Sequence, residues 1–387
     1  MGEIEIGIGK SGRQAYGLDD IAIVPSRRTR DPEDVNISWE IDAFSFELPL
    51  MASAMDGVVS PATAVAIGQL GGVGVLNLEG LWARYEDPEP WLAEIAELPV
   101  EKATARMQQI YLEPLRADLV TRRIREIKDA GVTACGSVTP QRARQLASAL
   151  LEAELDLLVI QGTVVSAEHV SKTSEPLNLN KFIRELDIPV IVGGCASYQA
   201  ALHLMRTGAA GVLVGVGPGN ACTTRGVLGI GVPQATAIAD AAGARSRHLE
   251  ETGVYVQVIA DGGMSRGGDI AKAIACGADA VMIGSPLAAA KEAPGRGWHW
   301  GMASFHPTLP RGARVKVERR GTLHEVLLGP AHDNDGRMNL FGALRTSMAT
   351  CGYGTIREFH KAEVMVAPAL QTEGKHLQHA QSIGMGS

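Results

Sequence analysis

The sequence predicts a single-domain α/β (β/α)₈ barrel, and three observations predict it: eight short apolar runs, the distance between them, and the residues on which they end. The runs are continuously apolar instead of alternating, as parallel strands buried on both faces should be. From the third onward they stand about 20 to 45 residues apart, which is the room a helical crossover needs. They end in glycine or polar residues, where a barrel keeps its chemistry on the C-terminal face. An open, doubly wound sheet is the rival that the pattern alone leaves standing.

In order, the runs are 48–53, 72–77, 132–136, 156–161, 188–193, 210–214, 256–261 and 280–284. A helix-like stretch that opens with Pro61 covers 61–70, and a charged amphipathic stretch at 116–130 leads into the third run. After about residue 291 the rhythm breaks. The region of about 295–330 is expected to form a flap, with a β-hairpin over 312–329 around Arg320-Gly321, and 339–349 is expected to be helical. The barrel domain is placed at 1–366 and a polar tail at 367–387, which projects or packs on a neighbouring subunit.

Composition narrows the class. Hydrophobic residues make up 45% of the 387 and aromatic ones only 4%, which suits an aliphatic α/β core. A net charge of −7 without a long basic run argues against nucleic-acid and membrane-surface partners. The five cysteines are odd in number and form no CxxC, so a disulfide framework is not expected. No leader-like start and no long apolar window are seen, and the expected location is cytoplasmic. HExxH, P-loop and paired metal-ligand spacings are missing too.

The strand ends carry Ser53, Asn77, Gln161, the loop 215–225, Asp261-Gly262-Gly263 and Gly284-Ser285. Within the loop, Gly215, Gly217 and Gly219 let backbone carbonyls converge, and they can present a thiol free of helix packing. Most free cysteines are small buried hydrophobes. The place of Cys222 after a barrel strand makes it the candidate nucleophile. Asp261 can accept both hydroxyls of a ribose, while the glycine amides and a following helix N-terminus suit a phosphate.

At these residues the chain resembles the IMP dehydrogenase/GMP reductase family over roughly residues 12–366. Segments 52–56 (ASAMD), 215–225 (GVGPGNACTTR), 229–234 (GIGVPQ), 259–263 (IADGG), 280–285 (AVMIGS) and 301–304 (GMAS) carry the likeness. It is closest to a short, third type of IMP-dehydrogenase-like bacterial paralogue. The resemblance implies that Cys222 attacks purine C2 while hydride moves to or from a nicotinamide, with Thr224 beside it to help activate water or ammonia. It implies a purine nucleoside monophosphate, GMP or IMP, held through Ser53, Met55, Asp261, Gly262, Gly263, Gly284, Ser285 and His299, with Met302 and Ala303 at the base. Gln161, Gly162 and Gly215 would meet the cofactor, NADPH with NADH or NAD as alternatives. Carbonyls of Gly217, Gly219 and Cys222 would bind K+, and the assembly would be a homotetramer or octamer.

The departures from the family pattern point to the reaction. Only 54 residues separate Asn77 from Val132, too few for the regulatory CBS pair. The flap lacks the Arg-Tyr pair that activates water in dehydrogenases, and Arg311 stands where reductases carry a Glu. His299 stands for a phosphate-contacting Tyr, and Leu158 is matched to the acid that usually meets the cofactor ribose. A dehydrogenase must hydrolyse its thioimidate, and losing the base should cost about 10²–10⁴ in rate. A reductase has no such step. The expectation is GMP reduction (GMP and NADPH to IMP, NH₃ and NADP+), with IMP dehydrogenase and an inactive nucleotide-binding sensor as alternatives.

Overall fold

Leu50–Ala52 (β1) is wholly buried and pairs in parallel with Val73–Asn77 (β2) on one side and Ala280–Ile283 (β8) on the other. Cys135–Val138 (β3), Leu157–Gln161 (β4), Val190–Cys195 (β5), Gly211–Val214 (β6) and Gln257–Asp261 (β7) complete a closed, eight-stranded parallel barrel. This computed structural model describes residues 3–170, 176–370 and 372–386, and its closure excludes the open sheet. Each of the eight runs yields one strand. The third starts later than its run, at Cys135, because the Ala134 N–H donates to Asp156 Oδ2 at 2.8 Å instead of to a ladder partner.

The runs read as continuously apolar because both faces of every strand are dry. Val75, Leu157, Val159, Ile191, Leu213, Ile259 and Met282 fill the barrel interior, and Leu158, Ile160, Val192, Val212 and Val214 face the surrounding helices. Trp39–Ile41 and Phe44–Phe46 form an antiparallel pair whose Trp39, Ile41 and Phe46 plug the N-terminal end of the barrel. Leu158 is thereby corrected. It lies fully buried between barrel and helices and cannot mark the place of a cofactor-contacting acid. The strand residue that reaches the barrel mouth is Gln161.

Pro61–Gln69 (α1) starts with proline behind Ser60, whose Oγ accepts from the Thr63 N–H at 3.1 Å. Between β2 and β3 the chain adds Glu89–Glu97 (α2) and Val100–Ile110 (α3) before the amphipathic Ala117–Lys128 (α4). Pro140–Glu152 (α5), Leu179–Glu185 (α6), Tyr198–Met205 (α7), Gln234–Thr252 (α9) and Gly267–Ala275 (α10) clothe the later strands. The short Thr224–Leu228 (α8) opens directly after the cysteine. No helix among the described residues is long and apolar enough to cross a membrane.

The hairpin expected around Arg320-Gly321 does not form. Trp298–His299 (β9) pairs antiparallel with Val315–Lys316 (β10), and residues 323–328 are helical. The Thr322 hydroxyl accepts from the Glu325 N–H at 3.2 Å, and Glu325 Oε2 takes the Thr322 N–H at 2.8 Å. This reciprocal capping box starts a helix where a turn was expected. Residues 339–349 are matched by Leu340–Thr350, and in the tail the Gly384 N–H donates to Asn334 of the same chain.

Candidate active site

A cavity of about 650 Å³ opens at the C-terminal mouth of the barrel, within the ~300–1,000 Å³ usual for small-ligand sites. Of the strand-end residues singled out from the sequence, Asn77 does not line it: it is buried, and its Oδ1 accepts the Glu79 N–H at 3.1 Å. The nucleotide, cofactor and cysteine-loop candidates all do. Ser53 and Met55 follow β1, Gln161 and Gly162 end β4, and Gly215, Gly217, Gly219, Cys222 and Thr224 follow β6. Asp261, Gly262 and Gly263 end β7, Gly284 and Ser285 follow β8, and His299, Met302 and Ala303 enter from the flap.

The cysteine loop is fixed from three sides. Gln234 at the start of α9 donates through Nε2 to Val214 O at 2.7 Å and to Asp261 O at 3.3 Å, tying the ends of β6 and β7 together. The Arg225 guanidinium donates to Val216 O and Val232 O, and the Cys222 N–H closes a turn on Gly219 O at 3.0 Å. From the flap, the Thr223 N–H donates to Arg311 O at 3.1 Å and the Ala313 N–H to Ala221 O at 2.8 Å, with Cys222 and Gly312 as bridge partners. The thiol is half-buried at the cavity wall, and Thr224 is buried in the first turn of α8. Carbonyls of Gly217, Gly219 and Cys222 have the neutral-oxygen chemistry that suits an alkali cation. Gly219 O already takes the Cys222 N–H, and a carbonyl keeps a second lone pair for an ion.

The opposite wall suits a ribose phosphate. Burial pushes the Asp261 carboxyl up to about 7, partly offset by Gln161, whose Nε2 donates to Oδ2 at 3.1 Å. Gly262 and Gly263 have φ of +77° and +79°, and a Cβ on Gly262 would stand 3.1 Å from the Gly219 amide nitrogen. Asn220 Nδ2 donates to Ser285 Oγ at 3.2 Å, and Ser285 Oγ lies 2.7 Å from His299 Nε2. Burial drops His299 to about 4, so the ring is neutral near pH 7. Ahead of the α10 N-terminus, expected to help a phosphate, the chain is tied back on itself, and the Gly267 N–H donates to Gly336 O at 3.0 Å. The Ser265 and Arg266 amides both donate to Asp269 Oδ2 at 3.0 Å.

Thr139–Gln141, at the start of α5, and Gly162–Val164 line the same cavity. Sequence reasoning passed over His306 on its wall. Its Nδ1 accepts the N–H groups of Thr308 and Leu309 at 3.3 and 3.1 Å, which leaves the proton on Nε2. Arg311 Nε, buried on the same wall, has no acceptor among the described residues. Both belong to the short turn 305–311, where only the absence of familiar flap residues was legible.

The chain is similar to known proteins along most of its length. The family model described as IMP dehydrogenase / GMP reductase domain matches residues 15–376. Proteins named uncharacterized oxidoreductase from Mycolicibacterium smegmatis and Mycobacterium leprae are 51% and 50% identical, over 94% of this chain and 99% and 100% of theirs. An inosine-5'-monophosphate dehydrogenase of Methanocaldococcus jannaschii is 28% identical over 93% of this chain and 94% of its own. The crystal structure of an IMP dehydrogenase/GMP reductase-like protein from Corynebacterium glutamicum superimposes with a TM-score of 0.90 at 44% identity, covering 94% of this chain and 97% of that one.

Proposed function

The chain belongs to the IMP dehydrogenase/GMP reductase family, oxidoreductases that bind a purine nucleotide and use a nicotinamide cofactor, and from that premise we propose that it reduces GMP to IMP. One observation carries the choice. Among the described residues, the only carboxylate lining the cavity is Asp261, which is engaged by Gln161 and suited to ribose hydroxyls. The turn beside Cys222 offers His306 with its proton on Nε2 and the cationic Arg311, both hydrogen-bond donors. Water activation needs a base there; expulsion of an amine does not.

In this reading the Cys222 sulfur bonds to C2 of GMP, and the thiol proton leaves with the amine as NH₃, steadied by the Thr224 hydroxyl. NADPH, when bound, supplies a hydride to C2. The C–S bond then breaks, C2 keeps the new hydrogen, and a solvent proton restores the thiol. The balance is GMP + NADPH + H⁺ → IMP + NH₃ + NADP⁺. Ser53, Gly263, Gly284 and Ser285 hold the phosphate with the neutral His299 behind Ser285, Asp261 holds the ribose, and Met302 and Ala303 meet the base. Gln161, Gly162 and Gly215 face the cofactor. K+ on the Gly217, Gly219 and Cys222 carbonyls would stiffen the loop, and the working unit is a cytoplasmic homotetramer or octamer.

The test is nicotinamide absorbance in two mixtures, GMP with NADPH and IMP with NAD⁺. The proposal expects loss of NADPH with GMP and no loss in Cys222→Ser. Signal only from IMP and NAD⁺ makes the protein a dehydrogenase. Silence in both with GMP still bound makes it a sensor.

A further inference from the structure

The helices α2 and α3, inserted between β2 and α4, reach the turn that covers the cysteine loop. Tyr111, directly after α3, stacks on Phe305 with ring centroids 3.5 Å apart and 7° between the planes. Its hydroxyl accepts from Trp300 Nε1 at 2.8 Å and donates to Asp56 Oδ2 at 2.6 Å. Asp56 is buried, stands next to Met55 of the cavity wall, and also takes the Leu81 N–H at 3.2 Å. Gln108 Nε2 donates to His306 O at 3.0 Å and, more weakly, to Pro307 O at 3.4 Å. Further along, the Arg314 guanidinium lies 3.9 Å from the Trp298 ring centroid and donates to the carbonyls of Ile95 and Leu98.

One side of segment 298–314 is therefore gripped by α2 and α3. The other side is stitched to Ala221, Cys222 and Thr223 through Arg311, Gly312 and Ala313. A flap that must swing away in each turnover would not carry an aromatic stack and buried hydrogen bonds on one face and strand pairing on the other. We propose that α2 and α3 form a built-in clamp that holds this segment closed against the cysteine loop, with Tyr111 and Gln108 as positioning residues for Cys222. The kinetic part of this inference rests on Cys222 being the nucleophile; the geometric part does not.

The experiment separates the two. Iodoacetamide labelling of Cys222 is followed by peptide mass spectrometry in the full-length protein, with buried Cys135 and Cys195 as internal controls. Losing the stack and the hydroxyl in Tyr111→Ala is expected to speed labelling about tenfold or more, and Gln108→Ala about threefold. Tyr111→Phe, which keeps the stack, should fall between wild type and Tyr111→Ala. In the same variants kcat should drop by a larger factor than KM for GMP rises, because of the nucleotide contacts only Met302, Ala303 and His299 lie in the clamped segment, while Asp261, Gly263, Gly284 and Ser285 stay at the ends of β7 and β8. Wild-type labelling rates in folded Tyr111→Ala and Gln108→Ala would overturn the clamp. If Tyr111→Ala does not fold, Gln108→Ala and Tyr111→Phe decide the matter. Faster labelling in an enzyme that never consumes GMP would keep the clamp and sink the reductase.

Discussion

Replacing Asp261 by asparagine separates charge from shape at the ribose wall. Burial favours the protonated carboxyl, which titrates at about 7. Roughly nine-tenths is then ionised at about pH 8 and roughly one-tenth at about pH 6. Only the ionised form accepts both ribose hydroxyls. GMP affinity should therefore fall about tenfold across that interval, and binding near pH 7 or below should release a proton as the hydroxyls draw the carboxyl's pKa back down. Asp261→Asn exchanges charge-assisted bonds worth ~1.5–3 kcal/mol each for neutral ones worth ~0.5–1.5, so each exchange should weaken GMP about 5- to 13-fold at pH 8. Isothermal titration in two buffers of different ionisation enthalpy reads both effects. The nucleotide phosphate, with a second pKa near ~6, adds the same slope to both proteins and cancels in the comparison. Equal slopes in wild type and variant, or wild-type affinity that is flat over this range, would refute the assignment of Asp261.

Gly312→Ala would place a methyl 2.3 Å from Ser304 Oγ and 3.1 Å from Ala221 O, so the pairing that covers Cys222 must shift. We expect a kcat loss of about tenfold or more against ~1–3 kcal/mol of stability, read by steady-state kinetics and thermal melting. Thr224→Val keeps volume and removes the hydroxyl; a kcat drop of about 10²-fold with little change in GMP affinity is expected. Burial raises Asp56 to about 6 against the pull of Tyr111, Leu81 and Arg84. The folded state therefore holds that proton more tightly than the unfolded chain, and this contribution to stability fades as pH rises from about 4 to about 6. The melting temperature of Asp56→Asn relative to wild type should move upward across the same window.

Much of this was legible because a barrel ties sequence order to position. A run that ends in Gln161, Asp261 or Ser53 delivers that residue to the mouth wherever its helix packs, and Cys222 follows from the loop after β6. Leu158 was misplaced for a related reason. In a run apolar on both faces, composition does not show which residue points inward and which is last. The hairpin around Arg320-Gly321 failed because the Thr322–Glu325 capping box is a stronger local signal than one glycine. Nothing local could announce the clamp, since Tyr111 meets partners 55 and 189 positions away at Asp56 and Trp300. His306 likewise gains meaning only when the amides of Thr308 and Leu309 fold back onto its ring.

The most direct test of the central claim uses NADPH carrying deuterium on the transferring face of the nicotinamide, mixed with GMP and the enzyme, with the products weighed by mass spectrometry. Reduction through Cys222 predicts IMP heavier by one deuterium at C2, formed with an equal amount of ammonia and missing altogether from Cys222→Ser. Unlabelled GMP recovered intact, while IMP and NAD⁺ give XMP in the same preparation, would contradict it.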